Sequence, residues 1–245
     1  MRVDCRRLLR DLAMDAAELL WPTRCVGCGA GETLLCDDCR LDLPWICQRW
    51  ACPSCGAPYG WLCCTECRRD WLPRSCVCAM GFRDTAARIV TIFKDGHELR
   101  LAPVIAAALA CALEEAAGWP AEDGLPRHDL KSLDGICFVP ATAKAFARRG
   151  FDHMELVARE LSQLTGLPVC DALLREQGAD QRTLGRDERA CNLEGRVSLA
   201  QDVASKRLLL IDDVATTGAS LGACARALCE GGAPAPDTCT FARVW

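Results

Sequence analysis

Little in this sequence points to a membrane, an export route or a histidine-based metal site. No apolar run is long enough to span a bilayer. The first twenty residues are interrupted by Asp4, Arg6, Arg7, Arg10, Asp11, Asp15 and Glu18, so they lack the uncharged core of a secretory leader. Leu8, Leu9, Leu12, Ala16, Leu19 and Leu20 instead predict an amphipathic helix over residues 1–20, and a cytoplasmic location is expected. The three histidines, His97, His128 and His153, share no ligand spacing, which argues against a metallohydrolase. A net charge of −4 gives no bulk electrostatic reason to expect nucleic acid. What remains is a chain of 245 residues, enough for one sizeable α/β domain and a small module.

Cysteine is what the chain has in excess. Of the 20 cysteines, 13 lie between Cys5 and Cys78 and the rest are scattered singly, which marks a boundary near residue 80. A cytosolic chain keeps its thiols reduced, so paired cysteines read as metal ligands rather than disulfides. Cys25, Cys28, Cys36 and Cys39 form one double pair, and Cys52, Cys55, Cys64 and Cys67 a second. Two residues between thiolates let a tight turn aim both sulfurs at one ion, and two such turns close a tetrahedral site. Gly27, Gly29, Pro53 and Gly56 supply the turn chemistry. Two structural Zn²⁺ ions with no open position are therefore expected over residues 21–80, a module too small to hold together by burial alone. Cys63 is an alternative ligand to Cys64, and Cys47, Cys76 and Cys78 have no evident quartet.

Five of the 7 tryptophans, Trp21, Trp45, Trp50, Trp61 and Trp71, fall in the same module. Trp61 and Trp71 beside Arg68, Arg69 and Arg74 suggest a stacking platform for single-stranded nucleic acid. The competing reading is that they pack the module. Residues 1–80 carry ten basic and ten acidic side chains, which favours packing.

The most informative stretch lies near the C-terminus. Leu208 to Ile211 is a continuous apolar run, as expected of a strand covered on both faces of a parallel sheet. Asp212 and Asp213 follow, then Val214-Ala-Thr-Thr-Gly-Ala-Ser220. Leu221, Cys224, Ala225 and Leu228 next recur at helical spacing. A turn of small residues between strand and helix directs backbone N–H groups and the positive end of the helix dipole at one point, which suits a phosphate. The adjacent carboxylates add partners for hydroxyls or for a cation, so a sugar phosphate fits better than phosphate alone. No Gly-Lys-Ser/Thr and no glycine triplet is present, which excludes a Walker loop and a dinucleotide fingerprint. A strand-turn-helix whose acids only cap the helix is the alternative.

Elsewhere, Gly135 to Val139 reads as a strand stopped by Pro140, with Lys144, Arg148 and Arg149 beyond its end, where ligands of open α/β sheets bind. Residues 102–117 read as a buried helix, Asp152 to Glu155 as a capped helix start, and 168–174 and 238–244 as strands. The polar tract from Arg175 to Asn192 reads either as a loop closing over a ligand or as an ordinary surface loop.

The 208–220 stretch resembles the signature of type I phosphoribosyltransferases. Two Cys-x2-Cys ribbons, Lys94-Asp-Gly, Val139-Pro140, Arg149-Gly-Phe-Asp152, Gln181 with Leu184, Arg189 and Asn192, and Asp212-Asp-Val-Ala-Thr-Thr-Gly218 follow in that order. Together they resemble the bacterial ComF family, associated with DNA uptake in competence. That resemblance implies a type I phosphoribosyltransferase-like α/β domain over 81–245, a parallel sheet flanked by helices, preceded by a double zinc ribbon. It also implies that Asp212 and Asp213 bind the ribose of phosphoribosyl diphosphate (PRPP) with Mg²⁺. Thr216, Thr217, Gly218 and Ser220, with Val214, Ala215 and Ala219 in the same loop, would hold its 5′-phosphate, and Pro140, Arg148 and Arg149 would face the diphosphate. Asp152 and His153 stand where the family usually has Asn and Gln, the segment at Arg196 and Val197 departs from its usual small residue and aromatic, and Ser220 replaces Thr.

Two functional classes follow. One is an enzyme moving phosphoribose to a nitrogen acceptor. The other is a sugar-phosphate-binding adaptor in DNA uptake that contacts single-stranded DNA and competence proteins. A PRPP-sensing regulator is disfavoured, since no DNA-reading helix pair is evident.

Overall fold

The computed structural model describes residues 22–64, 71–175 and 197–245. The chain divides into two compact units, one up to Leu43 and one from Pro44 to Trp245. The division thus separates the two cysteine clusters, whereas the composition shift suggested a boundary near residue 80.

In the larger unit a parallel sheet forms from β1 (Ser75–Gly81), β2 (Gly135–Phe138), β5 (Leu208–Ala215) and β6 (Asp237–Arg243), in the order β1-β6-β5-β2. A separate antiparallel pair joins β3 (Leu173–Arg175) to β4 (Val197–Leu199). Of the expected strand at 168–174, only its end is a strand. Its first part touches the sheet through a single bridge, Val169 to Ile136.

The strand β1 was not evident in the sequence, yet all seven of its residues are buried. Its outer edge is covered by backbone of the second cysteine segment. Ile46 N–H donates to Ala79 O at 2.9 Å, Gly81 N–H to Pro44 O at 2.8 Å and Cys76 N–H to Pro53 O at 3.2 Å. An uncovered edge strand would leave a row of unpaired backbone groups, so this segment satisfies the sheet as well as carrying thiols. That is why the second cluster belongs to the larger unit.

The described helices are α1 (Asp37–Leu41), α2 (Gly60–Cys63), α3 (Asp84–Asp95), α4 (Ala102–Ala117), α5 (Ala143–Arg149), α6 (His153–Thr165) and α7 (Ala219–Glu230). Helix α4, rich in alanine and apolar almost all round, packs on α6 and on β1 and β6. Helix α6 begins at Asp152, whose side chain accepts Met154 N–H, and ends at Gly166 with φ +76°. The expected α/β architecture, a parallel sheet flanked by helices, is borne out. Among the described residues no helix is long and apolar enough to cross a membrane.

Parity in the sheet matters for the site. Side chains alternate between faces, and in register Cys137, Leu210 and Thr238 are neighbours, as are Asp212 and Thr240. Leu208 and Leu210 pack with Leu221, Cys224 and Leu228 of α7. Asp212 therefore projects on the α7 face, and Asp213 on the opposite face, where α6 lies.

Candidate functional site

The two cysteine clusters come first in the chain. In the first knuckle Cys25 N–H donates to Ala30 O at 2.7 Å and Gly29 N–H to Cys25 O at 2.8 Å. In the second, Cys52 N–H donates to Ala57 O at 2.8 Å and Gly56 N–H to Cys52 O at 3.0 Å. The glycine after the second thiol is left-handed in both, at φ +80° and φ +69°. The knuckles are thus built alike.

The sulfurs of Cys25, Cys28, Cys36 and Cys39 lie within 4.8 Å of one another, as do those of Cys52, Cys55 and Cys64. Cys25 and Cys28 each lie 3.6 Å from Cys36, and Cys55 lies 3.5 Å from Cys64. Four thiolates around zinc at ordinary bond length sit about 3.8 Å apart, so the four sulfurs of the first set and the three described sulfurs of the second are spaced for such an ion. Cys64 rather than Cys63 joins the second cluster, because its sulfur is the one grouped with those of Cys52 and Cys55. Cys67 lies outside the described residues. Cys76 and Cys78 approach each other to 3.7 Å but form no third ligand group among the described residues.

The second site opens at the C-terminal edge of the sheet, as a cavity of about 290 Å³. Among the residues singled out from the sequence, Asp212, Asp213, Val214, Thr216, Ser220, Pro140 and Arg149 line it. Thr217, Gly218 and Ala219 continue the same loop without lining it, and Ala215 is buried. Arg148 is outside the lining, on an exposed surface, with Nη2 2.7 Å from Asp95.

Local sequence explains the loop. Gly218, with φ +77°, is the N-cap of α7 and has no side chain to cap it, and the N–H of Ala219 is donated to Thr217 Oγ1 at 3.4 Å. The first-turn N–H groups after Ala219 are left for a ligand, at the positive end of the dipole. Arg243, the last residue of β6 and buried, donates from Nη1 to the carbonyls of Ala215, at 3.1 Å, and Thr216. It ties those two carbonyls of the loop to the end of β6.

Around Asp213 the sequence reading missed two partners. Lys94, at the end of α3, and His153, at the start of α6, both bond to its Oδ2. Arg149 Nη1 lies 3.3 Å from His153 Nδ1. Arginine only donates, so Nδ1 accepts and the Nε2 hydrogen is left for Asp213. Arg149 Nε is buried with no hydrogen-bond partner among the described residues, a donor left over beside the cavity.

The two acids differ accordingly. Burial, reinforced by the charge of Asp213, pushes the Asp212 carboxyl well above the usual carboxylate range, against the opposing pull of Lys94 and Arg175. Burial acts the same way on Asp213, but the His153 hydrogen bond and the Lys94 charge outweigh it and hold that carboxyl at about 2. One acid is thus held ionised beside another that resists ionisation.

Arg175, at the end of β3, donates to Ser220 Oγ at 3.3 Å and also lines the cavity. The polar tract expected to cover the cavity, with Gln181, Arg182, Gly185, Arg186, Arg189 and Asn192, lies outside the described residues. So do Arg68 and Arg69 of the suggested nucleic-acid platform. Arg74, the third cation of that platform, is bound to Asp237 at 2.6 Å and Asp123 at 3.2 Å, and donates to the carbonyl of Arg127 at 2.6 Å.

An α/β domain with a polar cavity at its strand ends, together with cysteine clusters that could hold zinc, defines the class. No protein-family model matches the chain. Competence protein F of Haemophilus influenzae is 31% identical over 104 residues, 40% of this chain and 45% of that protein. The chain thus spans less than half the length of that relative. DNA utilization protein YhgH of Salmonella typhi is 29% identical over 220 residues, 81% of this chain and 92% of that protein. The chain is a homologue of these two proteins, and the resemblance to the ComF family read from its motifs is borne out.

Proposed function

We propose that the cavity binds PRPP or a closely related sugar phosphate, in a protein that serves DNA uptake. The observation that carries this reading is the convergence, in one cavity, of Ser220 in the first turn of α7, the Asp212–Asp213 pair and Arg149, whose Nε has no partner among the described residues. Phosphate suits the first, ribose hydroxyls the second and a diphosphate the third. A role in DNA uptake is supported by its two relatives, a competence protein and a DNA utilization protein.

As a transferase, the protein would act mainly by positioning. The bond between C1 and the diphosphate oxygen breaks with its electron pair leaving on the diphosphate, a nitrogen nucleophile forms the new bond to C1, and its proton passes to the released diphosphate or to water. Arg149 would meet the leaving group, and Asp213, steadied by Lys94 and His153, would hold the pentose. Mg²⁺, when bound with the substrate, neutralises the charge of the diphosphate.

Calorimetry with PRPP and Mg²⁺ tests the binding. Wild type should give heat that an Asp212→Asn/Asp213→Asn double variant loses, and a silent wild type sinks the reading. Diphosphate release with a panel of nucleobases then separates enzyme from adaptor.

The adaptor reading is favoured by a different surface. A second cavity of about 200 Å³ is lined by Trp45, Trp50, Tyr59, Arg83 and Trp245. Trp45, Tyr59 and Trp245 are exposed, as is the neighbouring Trp61, which meets Trp50 edge-on at 5.9 Å. Exposed rings beside a guanidinium suit single-stranded bases. Gel shifts with single-stranded DNA across a salt series check this, and no shift at low salt removes it.

A further inference from the structure

Trp71 touches both the second cysteine cluster and the loop at Gly218. It packs against Cys52, Cys55 and Ala57 together with Cys64. It also packs against Ile46, Ala51, Cys76 and Cys78, and against the large cluster containing Leu221 and Cys224 of α7. A Cβ placed on Gly218 would meet the far edge of the same indole, 2.7 Å from Cη2 and closer still to Cζ3. No other ring stands between thiols and loop in these contacts.

Two further features make the ring's position dependent on its surroundings. The Nε1–H of Trp71 is buried without a hydrogen-bond partner among the described residues, so among them shape rather than a polar bond holds the ring. Gly218 adopts φ +77° and carries no side chain, so its backbone rests directly on the indole. A shift of the thiols therefore moves the ring, and a shift of the ring moves the start of α7. Close-packed interiors transmit such displacements rather than absorbing them.

We propose that Trp71 is a positioning residue through which an ion at Cys52, Cys55 and Cys64 sets the conformation of the loop at Gly218, and hence its affinity for a phosphate group. The inference rests on the sugar-phosphate reading of the cavity. It assigns the second cysteine cluster a role in ligand affinity, although Cys52, Cys55 and Cys64 do not line the cavity.

The probe is ribose 5-phosphate, titrated calorimetrically into wild type, Trp71→Ala, Trp71→Phe and Cys52→Ser, with zinc content and melting temperature measured on each. Trp71→Ala and Cys52→Ser should each weaken binding about two- to thirtyfold, the range of couplings carried through packed residues. The combined variant should be no weaker than the worse single one, because both cut the same link. Trp71→Phe, which keeps a ring, should restore most of the affinity. A core residue with no coupling role would lower the melting temperature and leave the affinity of the folded protein unchanged. If Trp71→Ala does not fold, Trp71→Leu carries the same comparison. Wild type that binds no ribose 5-phosphate removes the cavity reading and this inference with it. Wild type that binds, alongside folded Trp71 and Cys52 variants of equal affinity or with losses that add, overturns the coupling alone.

Discussion

Gly218→Ala is the substitution for which the structure gives the sharpest magnitude. Two effects act at that position. The left-handed backbone, φ +77°, costs a residue with a Cβ about 1–2 kcal/mol. The new methyl would also overlap the indole of Trp71, and overpacking of that kind costs about 1–3 kcal/mol. Together the loss is about 2–5 kcal/mol, and at about 2–4 °C per kcal/mol for a chain of this size the melting temperature should fall by about 4–20 °C. Gly124 provides the control. It has the same φ of +77°, but a Cβ there meets nothing within 4 Å. Gly124→Ala should therefore show the backbone contribution alone, and the difference between the two variants isolates the contact with Trp71. Adding Trp71→Leu to Gly218→Ala should recover part of that difference. Differential scanning fluorimetry on the four proteins suffices. Equal losses at Gly218 and Gly124 would refute the placement of the indole against the loop.

The two acids should respond to pH with opposite sign. Asp212 titrates above its usual range in the folded protein, so the stability its neutral form contributes is present below about pH 4 and is lost as pH rises through the raised value. Asp212→Asn should then melt higher than wild type at pH 7, with the gap closing towards pH 4, while sugar-phosphate affinity is lost; a lower melting temperature at pH 7 contradicts this. Asp213 contributes stability above its unfolded value that is lost only as pH falls to about 2, so Asp213→Asn should melt lower than wild type at pH 7. Arg74→Ala leaves the buried carboxylate of Asp237 without its guanidinium and should cost about 3–5 kcal/mol, read by chemical denaturation. It should not change the salt slope of single-stranded DNA binding, because that guanidinium is already committed. Metal analysis should find about two zinc ions per chain, with Cys28→Ser and Cys55→Ser each losing one; retention of both ions in either variant contradicts the ligand assignment.

The parts legible in the sequence were those encoded within one short stretch. Leu208 to Ala215 declares its strand by an unbroken apolar run, and the knuckles declare themselves by spacing. The parts that stayed hidden depend on residues far apart in the chain. Ser75 to Gly81 was obscured by Cys76 and Cys78, which in a cysteine-rich context read as spare ligands; the sulfurs are in fact buried side chains of a sheet strand. Lys94 and His153 reach Asp213 from the ends of two helices, a meeting that no local pattern announces. His153 in particular was one of three histidines without ligand spacing, and its partner is a carboxylate 60 positions away. Arg243 was hidden for the same reason, because its bonds to Ala215 and Thr216 exist only once β6 lies beside β5.

The opposite faces occupied by Asp212 and Asp213 divide the work expected of them. Asp213 is already held by Lys94 and His153, so a pentose hydroxyl approaching it must share or displace a bond rather than fill an empty place. Sharing is the cheaper course, since a buried carboxylate stripped of its cation costs several kcal/mol. Lys94, which lines the same cavity, would then stay on Asp213 while the sugar binds. Asp212 has no cation bonded to it among the described contacts, and its carboxylate accepts only the neighbouring Asp213 N–H at 2.9 Å. Its raised pKa means that charge is tolerated poorly there until something positive arrives. A cation delivered with the diphosphate would supply that charge. Affinity for ribose 5-phosphate should therefore depend weakly on Mg²⁺, and affinity for PRPP strongly, a contrast that a single pair of calorimetric titrations with and without the metal resolves.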